Sequence, residues 1–290
     1  MTPIQYCYEK VKTSKSNFTW AFYFISQERR DALISLYAFC REIDDIVDET
    51  LELEVATAKI NWWKAEINRL FHEIPQHPVT KSLLKFIHIY ELNEAYFIEM
   101  LDGMEMDLKF NRYENFKQLQ LYCYRVAGVV GILSVKILGF KNQGTLKYAH
   151  DLGIALQLTN IIRDIGEDAR KNRIYIPLDE LKEFNVSEDE ILKFHESINL
   201  SNLLMHQILR AEVFYKNAYQ KLPKEDLNQQ IPGLLMGKIY ETLLLEIKRD
   251  KPDIMVYPYN TAPLFMPKCQ KNILIVHDLI FLVPFKEIGA

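Results

Sequence analysis

The sequence predicts an all-α protein, on three observations. Glycine (10) and proline (11) are scarce in a chain of 290 residues. Apolar residues recur at spacings of three and four, and no stretch alternates strictly between apolar and polar before residues 251–290. Residues 28–49 show the pattern first: Ala32, Leu36, Phe39, Cys40, Ile43, Ile46 and Val47 make one apolar stripe, while Tyr37, Arg41, Asp44 and Asp48 lie opposite. The same periodicity predicts helices over 55–71, 79–89, 94–109, 116–138, 146–169, 189–198, 201–221 and 231–248. Breaks fall at Pro75 and Pro78, Gly139, Gly144, Pro177, Pro223 and Pro232. About nine helices with no repeat of fixed period make one domain over residues 1–250. Residues 251–290 change character, with Pro252, Pro258, Pro263, Pro267 and Pro284 and a β-branched run at 273–276. That pattern reads as coil and then a short buried strand, with no evident sheet to join.

Composition narrows the function. Hydrophobic residues make up 49% and charged residues 26%, with 16 Tyr and 16 Phe, which is a folded globular composition. Lys and Arg number 35 against 39 Asp and Glu, a net charge of −4, so no positive field points to nucleic acid. Cys7, Cys40, Cys123 and Cys269 stand far apart without a C-x-x-C pair, against a zinc site or a disulfide framework. A reducing cytoplasm is the expected compartment. The first stretch carries Glu9, Lys10, Lys12 and Lys15 and lacks the apolar core of an export signal. The longest uncharged apolar runs, 18–26 and 126–135, fall short of the ~18 residues a membrane span needs.

Two acidic clusters carry the chemistry. In Arg41-Glu-Ile-Asp44-Asp45-Ile-Val-Asp48, the four-residue step puts Asp44 and Asp48 one helical turn apart, with Arg41 above them. Further on, Gln157, Asn160, Asp164 and Asp168 follow one face of a helix that is otherwise apolar. A solvated face gives the same spacing when one such match stands alone. The second row, however, lies on so apolar a helix that it predicts a cavity inside the protein, because buried polar groups need partners. Carboxylates about 6 Å apart repel by roughly 3 kcal/mol at an effective dielectric near 20, so two such faces turned together call for a cation. Oxygen ligands without His or Cys select Mg²⁺, with Mn²⁺ as a substitute. Arg41, Arg163, Arg170, Lys171 and Arg173 flank the rows and could hold phosphate oxygens.

Between the rows lies Tyr122-Cys-Tyr-Arg-Val126-Ala127-Gly128-Val-Val130-Gly131. Ala127 and Gly131, four apart, allow close approach either of another backbone or of a long apolar ligand. Bound Mg²⁺, flanking arginines and an apolar tunnel together suit ionisation of an allylic diphosphate with the carbocation kept from water.

At these three motifs the sequence resembles the squalene/phytoene synthase family. The matching pieces are residues 37–48, 122–131 and 156–168, with Arg173-Ile-Tyr175 after them, and the resemblance covers about residues 4–250. It implies an isoprenoid-synthase helical bundle around a central apolar cavity. The implied reaction is Mg²⁺-dependent head-to-head joining of two farnesyl diphosphates to presqualene diphosphate, as in bacterial hopanoid pathways. Phytoene synthesis from geranylgeranyl diphosphate, squalene or dehydrosqualene synthesis, and a non-catalytic protein, either a helical scaffold or a homologue inactive because of its altered C-terminus, are the alternatives. By the resemblance, Asp44, Asp48, Asn160, Asp164 and Asp168 hold the metal. Arg41, Gln157, Arg163, Arg173 and Tyr240 surround the diphosphates, and Tyr122 is the catalytic tyrosine, taking a proton or steadying a cation with its ring. Phe18, Phe22, Tyr37, Val126 and Val130 line the pocket. No NADPH is expected, since the sequence has no nicotinamide fingerprint. Lipidic substrates and product suggest peripheral contact with the inner face of the membrane; nothing in the sequence sets an oligomeric state. The family continues past the Tyr240 helix into a basic helix, whereas here 251–290 is similar to a fragment of a two-Rossmann-domain glycosyltransferase, as a frame change or fusion would leave.

Overall fold

The structure is a computed structural model that describes residues 1–13, 25–50, 52–193 and 195–250, with the backbone of 254–257 and 271–274. In chain order the helices are α1 (Pro3–Thr13), α2 (Gln27–Glu49), α3 (Leu53–Phe71), α4 (Pro78–Ile89) and α5 (Glu94–Lys109). Then come α6 (Phe116–Cys123), a π turn (Tyr124–Gly128), α7 (Val129–Leu138) and α8 (Gly144–Arg170). The remainder are α9 (Leu178–Glu183), α10 (Glu188–Leu192), α11 (Ile198–Lys221) and α12 (Ile231–Asp250). Beyond α12, β1 (Ile254–Tyr257) pairs in parallel with β2 (Lys271–Leu274), Ile254 opposite Lys271. β2 takes in only residues 273 and 274 of the expected strand, 275–276 lying outside the described residues, and its partner is another segment of the tail.

The amphipathic stripes pack as their spacing requires. Ala32, Leu36, Phe39 and Ile43 of α2 meet Ile60, Ile67, Leu83 and Phe97 from α3, α4 and α5 in one buried cluster. A second cluster joins α7, α8 and α11 through Val135, Ile154, Leu158, Ile208 and Tyr215. α8 runs through the middle, in contact with α7, the π turn, α11 and α12. Close approach there depends on glycine. A Cβ on Gly153 would lie 2.6 Å from the Ala127 carbonyl oxygen, and one on Gly131 would lie 2.6 Å from that of Ala149. Helix packing thus accounts for the Ala127/Gly131 pair, and both residues also face the cavity.

The sequence pattern does not predict α1 or α9, and two of the helices it does predict differ in form. Residues 189–198 are not one helix, because Ser187 caps α10 in a reciprocal capping box with Glu190 and Ser197 caps α11 through the Leu200 amide. Residues 116–138 form one rod broken by the π turn, where the Val129 amide reaches back to the Tyr124 carbonyl. By length and composition that rod could cross a membrane, a longer apolar stretch than the uncharged runs suggested, but half of it is buried in the bundle. Two loops are tied down by buried acids. Asp226 accepts from the Lys141 and Asn142 amides at 2.8 and 3.0 Å and from Thr145 Oγ1 at 2.6 Å, fixing the start of α8. Glu66 accepts from the Gln76 and His77 amides at 2.7 and 2.8 Å, from Thr80 Oγ1 and from Arg69, fixing the start of α4.

Candidate active site

A cavity of about 540 Å³ runs between α2, α5, the α6–α7 rod, α8 and α12. Its mouth is polar because α2 presents Asp44 and Asp48 on one wall and α8 presents Asn160, Asp164 and Asp168 on the other. Its interior is apolar because the same helices, followed inward, present Leu33, Tyr37 and Cys40 from α2 and Leu156 and Leu152 from α8. The rod adds Val126, Val130 and Val135, and α12 adds Met236 and Tyr240. Every residue expected at the site lines this one cavity except Phe18 and Phe22, which lie outside the described residues. Arg170, expected to flank the acids, is exposed and does not line the cavity.

The cations at the mouth are engaged with the acids. Arg41 reaches Asp44 and Asp45 at 2.5 Å each, and Arg163 clasps Asp164 with two bonds of 2.7 and 2.6 Å. Lys171 stands 3.5 Å from Asp48 and 3.2 Å from Glu167, linking the two walls. Burial works against the charge on Arg163, but the Asp164 carboxylate outweighs it and holds the guanidinium protonated. The carboxyls remain short of positive charge. Burial raises Asp44 to about 6, with Asp48 and Asp45 adding to the shift against Arg41. Burial likewise raises Asp168 to about 7, with Asp164 reinforcing it. The Asn160 side-chain oxygen is buried with no partner among the described residues. An oxygen-rich donor set with two strained carboxyls and an orphaned amide oxygen fits a hard divalent cation. Among the described residues no three acids, histidines or cysteines stand close enough to cage an ion alone. A divalent ion here would take one or two carboxylates and fill the rest of its shell with water and phosphate oxygens.

Below the mouth lies a group that the motifs did not flag. Asp107 accepts from the Tyr122 hydroxyl at 2.8 Å and from the Tyr175 hydroxyl at 2.7 Å. The rings of Tyr122 and Tyr175 stack at 5.3 Å, and that of Tyr113 lies 5.5 and 5.6 Å from them. Burial raises Asp107 to about 6, against the two tyrosine bonds and Arg173. Burial and the Asp107 charge push Tyr122 far up, so its phenol stays neutral. Tyr175 and Arg173 are placed by the chain's return past α8: Asn172 adopts φ 55°, Ile174 N donates to Asn111 O at 3.0 Å, and Arg112 grips the Asn172 carbonyl at 2.7 Å. A sequence signal for Asp107 exists. It shares the four- and three-residue steps of Met100 and Met104, which line the same cavity, and an acid on an apolar stripe needs a reason.

Two acidic walls at the mouth of an apolar bore in an all-helical bundle define an isoprenoid-synthase type of protein. The squalene/phytoene synthase family model matches residues 11–266, and the chain belongs to that family, whose members are prenyltransferases. It is 33% identical over 264 residues to the phytoene synthase of Arthrospira platensis, covering 85% of each protein. It is 34% identical over 250 residues to the chloroplastic phytoene synthase of an Oncidium hybrid cultivar, spanning 84% of this chain but 60% of that relative's length. The squalene synthase HpnC of Alicyclobacillus acidocaldarius shares the fold, with a TM-score of 0.78 at 23% identity over 85% of this chain and 93% of that one. A dehydrosqualene synthase solved with a ligand gives a TM-score of 0.78 at 27% identity over 85% of this chain and 86% of the other.

Proposed function

We propose that this protein joins two prenyl diphosphates head to head, with farnesyl diphosphate as substrate and presqualene diphosphate as product. The observation behind this reading is the single cavity in which a polar, carboxylate-lined mouth opens onto an apolar bore. Asp44, Asp48, Asn160, Asp164 and Asp168 would hold Mg²⁺, which would supply positive charge to the departing diphosphate. Arg41, Arg163 and Arg173 orient the phosphate oxygens, and Gln157 and Tyr240 fill the space beside them. The apolar walls keep water from the allylic cation. Tyr122 offers it a ring face, and as a neutral phenol held by Asp107 its oxygen is a poor nucleophile toward the cation.

A second reading, phytoene formation from geranylgeranyl diphosphate, is favoured by the names of the relatives at 33–34% identity. One assay separates the two: purified protein with Mg²⁺ and either diphosphate, with and without NADPH, products identified by mass and Asp44→Asn as control. A farnesyl-derived cyclopropyl diphosphate unchanged by NADPH supports the first reading and phytoene the second. No product from either substrate refutes both. Cysteines that stand apart without a pairing motif support a cytoplasmic location, and lipidic substrates support contact with the inner face of the membrane, the second of which sedimentation with vesicles would test.

A further inference from the structure

We propose that Tyr148, clamped over Gly233, is the floor of the cavity and stops the tail lying along α8 at three isoprene units. The inference rests on the prenyltransferase reading and specifies its substrate. Tyr148, Leu152, Leu156, Asn160 and Asp164 lie four residues apart on α8, and all line the cavity. At a rise of 1.5 Å per residue, Tyr148 stands about 24 Å below Asp164. Four bonds of about 1.5 Å advance an extended isoprene unit by about 5 Å. With a diphosphate head of about 5 Å, a farnesyl diphosphate measures about 20 Å and a geranylgeranyl diphosphate about 25 Å. The first ends short of the tyrosine and the second runs into it.

The floor is held in place and it is polar. A Cβ on Gly233 would lie 2.9 Å from the Tyr148 hydroxyl, so α12 closes on the ring only because residue 233 lacks one. Tyr148 is 1% exposed and its hydroxyl has no partner among the described residues; Gln230, fully buried, has its side-chain oxygen unpartnered among them while its amide donates to the Gly139 carbonyl at 2.8 Å. Both residues line the cavity, at the end away from the acids. A hydrocarbon tail pressed against them would deny both groups the water that such sites take up. The bore is therefore closed to a fourth isoprene unit by bulk and by polarity together.

The test is a competition between farnesyl and geranylgeranyl diphosphates in wild type, Tyr148→Ala and Tyr148→Leu, the leucine keeping an apolar side chain in case the alanine variant fails to fold. Wild type is expected to favour farnesyl in kcat/KM by at least about tenfold, and the variants to close that gap by about tenfold or more. Thermal stabilisation by the farnesyl and geranylgeranyl thiolodiphosphates, which resist ionisation, reads the same preference without turnover. A wild-type preference for geranylgeranyl, or an unchanged ratio in the variants that fold, overturns the floor while leaving head-to-head condensation standing. Discrimination between the two analogues that is lost in Tyr148→Leu, with no turnover of either substrate by wild type, supports the floor and refutes the proposed function.

Discussion

Asp107 does at the scale of one residue what no motif describes. Two phenols donate to it, so it orients the Tyr122 ring and keeps a negative charge below the mouth, next to where an allylic cation would form. It is a positioning residue, and Asp107→Asn keeps its shape while removing that charge. The expected outcome is a fall in kcat of about a hundredfold or more with KM within a few fold. Equal losses in kcat and substrate binding would mean that the site had merely collapsed. For the metal-side acids, Asp44→Asn or Asp164→Asn should abolish turnover and leave the far-ultraviolet circular dichroism unchanged; normal activity in either would sink the metal assignment. At this scale the sequence was readable where polar residues repeat at four-residue steps, as in Asp44/Asp48 and Asn160/Asp164/Asp168. It was fainter where one acid stands among methionines: the stripe marks Asp107 as out of place, but its role comes from tyrosines 15 and 68 residues away.

Helices are set by stripes, and the stripes of α2, α3, α4, α5 and α8 were legible because their burial follows the 3.6-residue period. The break between α10 and α11 was less so, since the apolar period runs on through 189–198 while the Ser187 and Ser197 side chains decide where helix starts. The π turn was not legible at all: a five-residue step there depends on packing against α8, which local sequence does not encode. Where α8 and the π turn touch, Gly153 is the tightest point, with backbone atoms of Ala127 and Gly128 within 2.8 Å of its would-be Cβ. Gly153→Ala is therefore expected to destabilise by about 1–3 kcal/mol, read from the midpoint of urea unfolding at unchanged m-value. A neutral result would show that the helices separate freely. Glu66→Gln at the start of α4 should cost about 2–3 kcal/mol, since it leaves three donors and Arg69 facing an uncharged, less able acceptor.

The whole molecule carries two opposed pH dependences. Its backbone and side-chain donors lower Glu66 despite burial, so that carboxylate adds stability above its unfolded value of about 4.3 and loses it as pH falls through its folded value. The cavity acids do the reverse. Asp44, Asp107 and Asp168 sit at about 6, 6 and 7, above their ordinary 3.8, so the native state holds protons that the unfolded chain has already released. Their contribution is fully present below about pH 4 and is lost as pH rises through 6 and 7. Without divalent cation, the melting temperature should therefore pass a maximum near pH 5 and fall toward pH 8. A divalent cation with inorganic diphosphate binds the ionised carboxylates only, so its stabilisation should grow over the same interval and flatten or reverse the decline. Asp168→Asn, which removes the acid raised furthest, should shrink both the decline and the ligand's gain. A melting temperature that climbs steadily from pH 5 to 8 in metal-free buffer would mean that the two acidic walls do not strain one another. The cavity would then have no electrostatic reason to take up a cation.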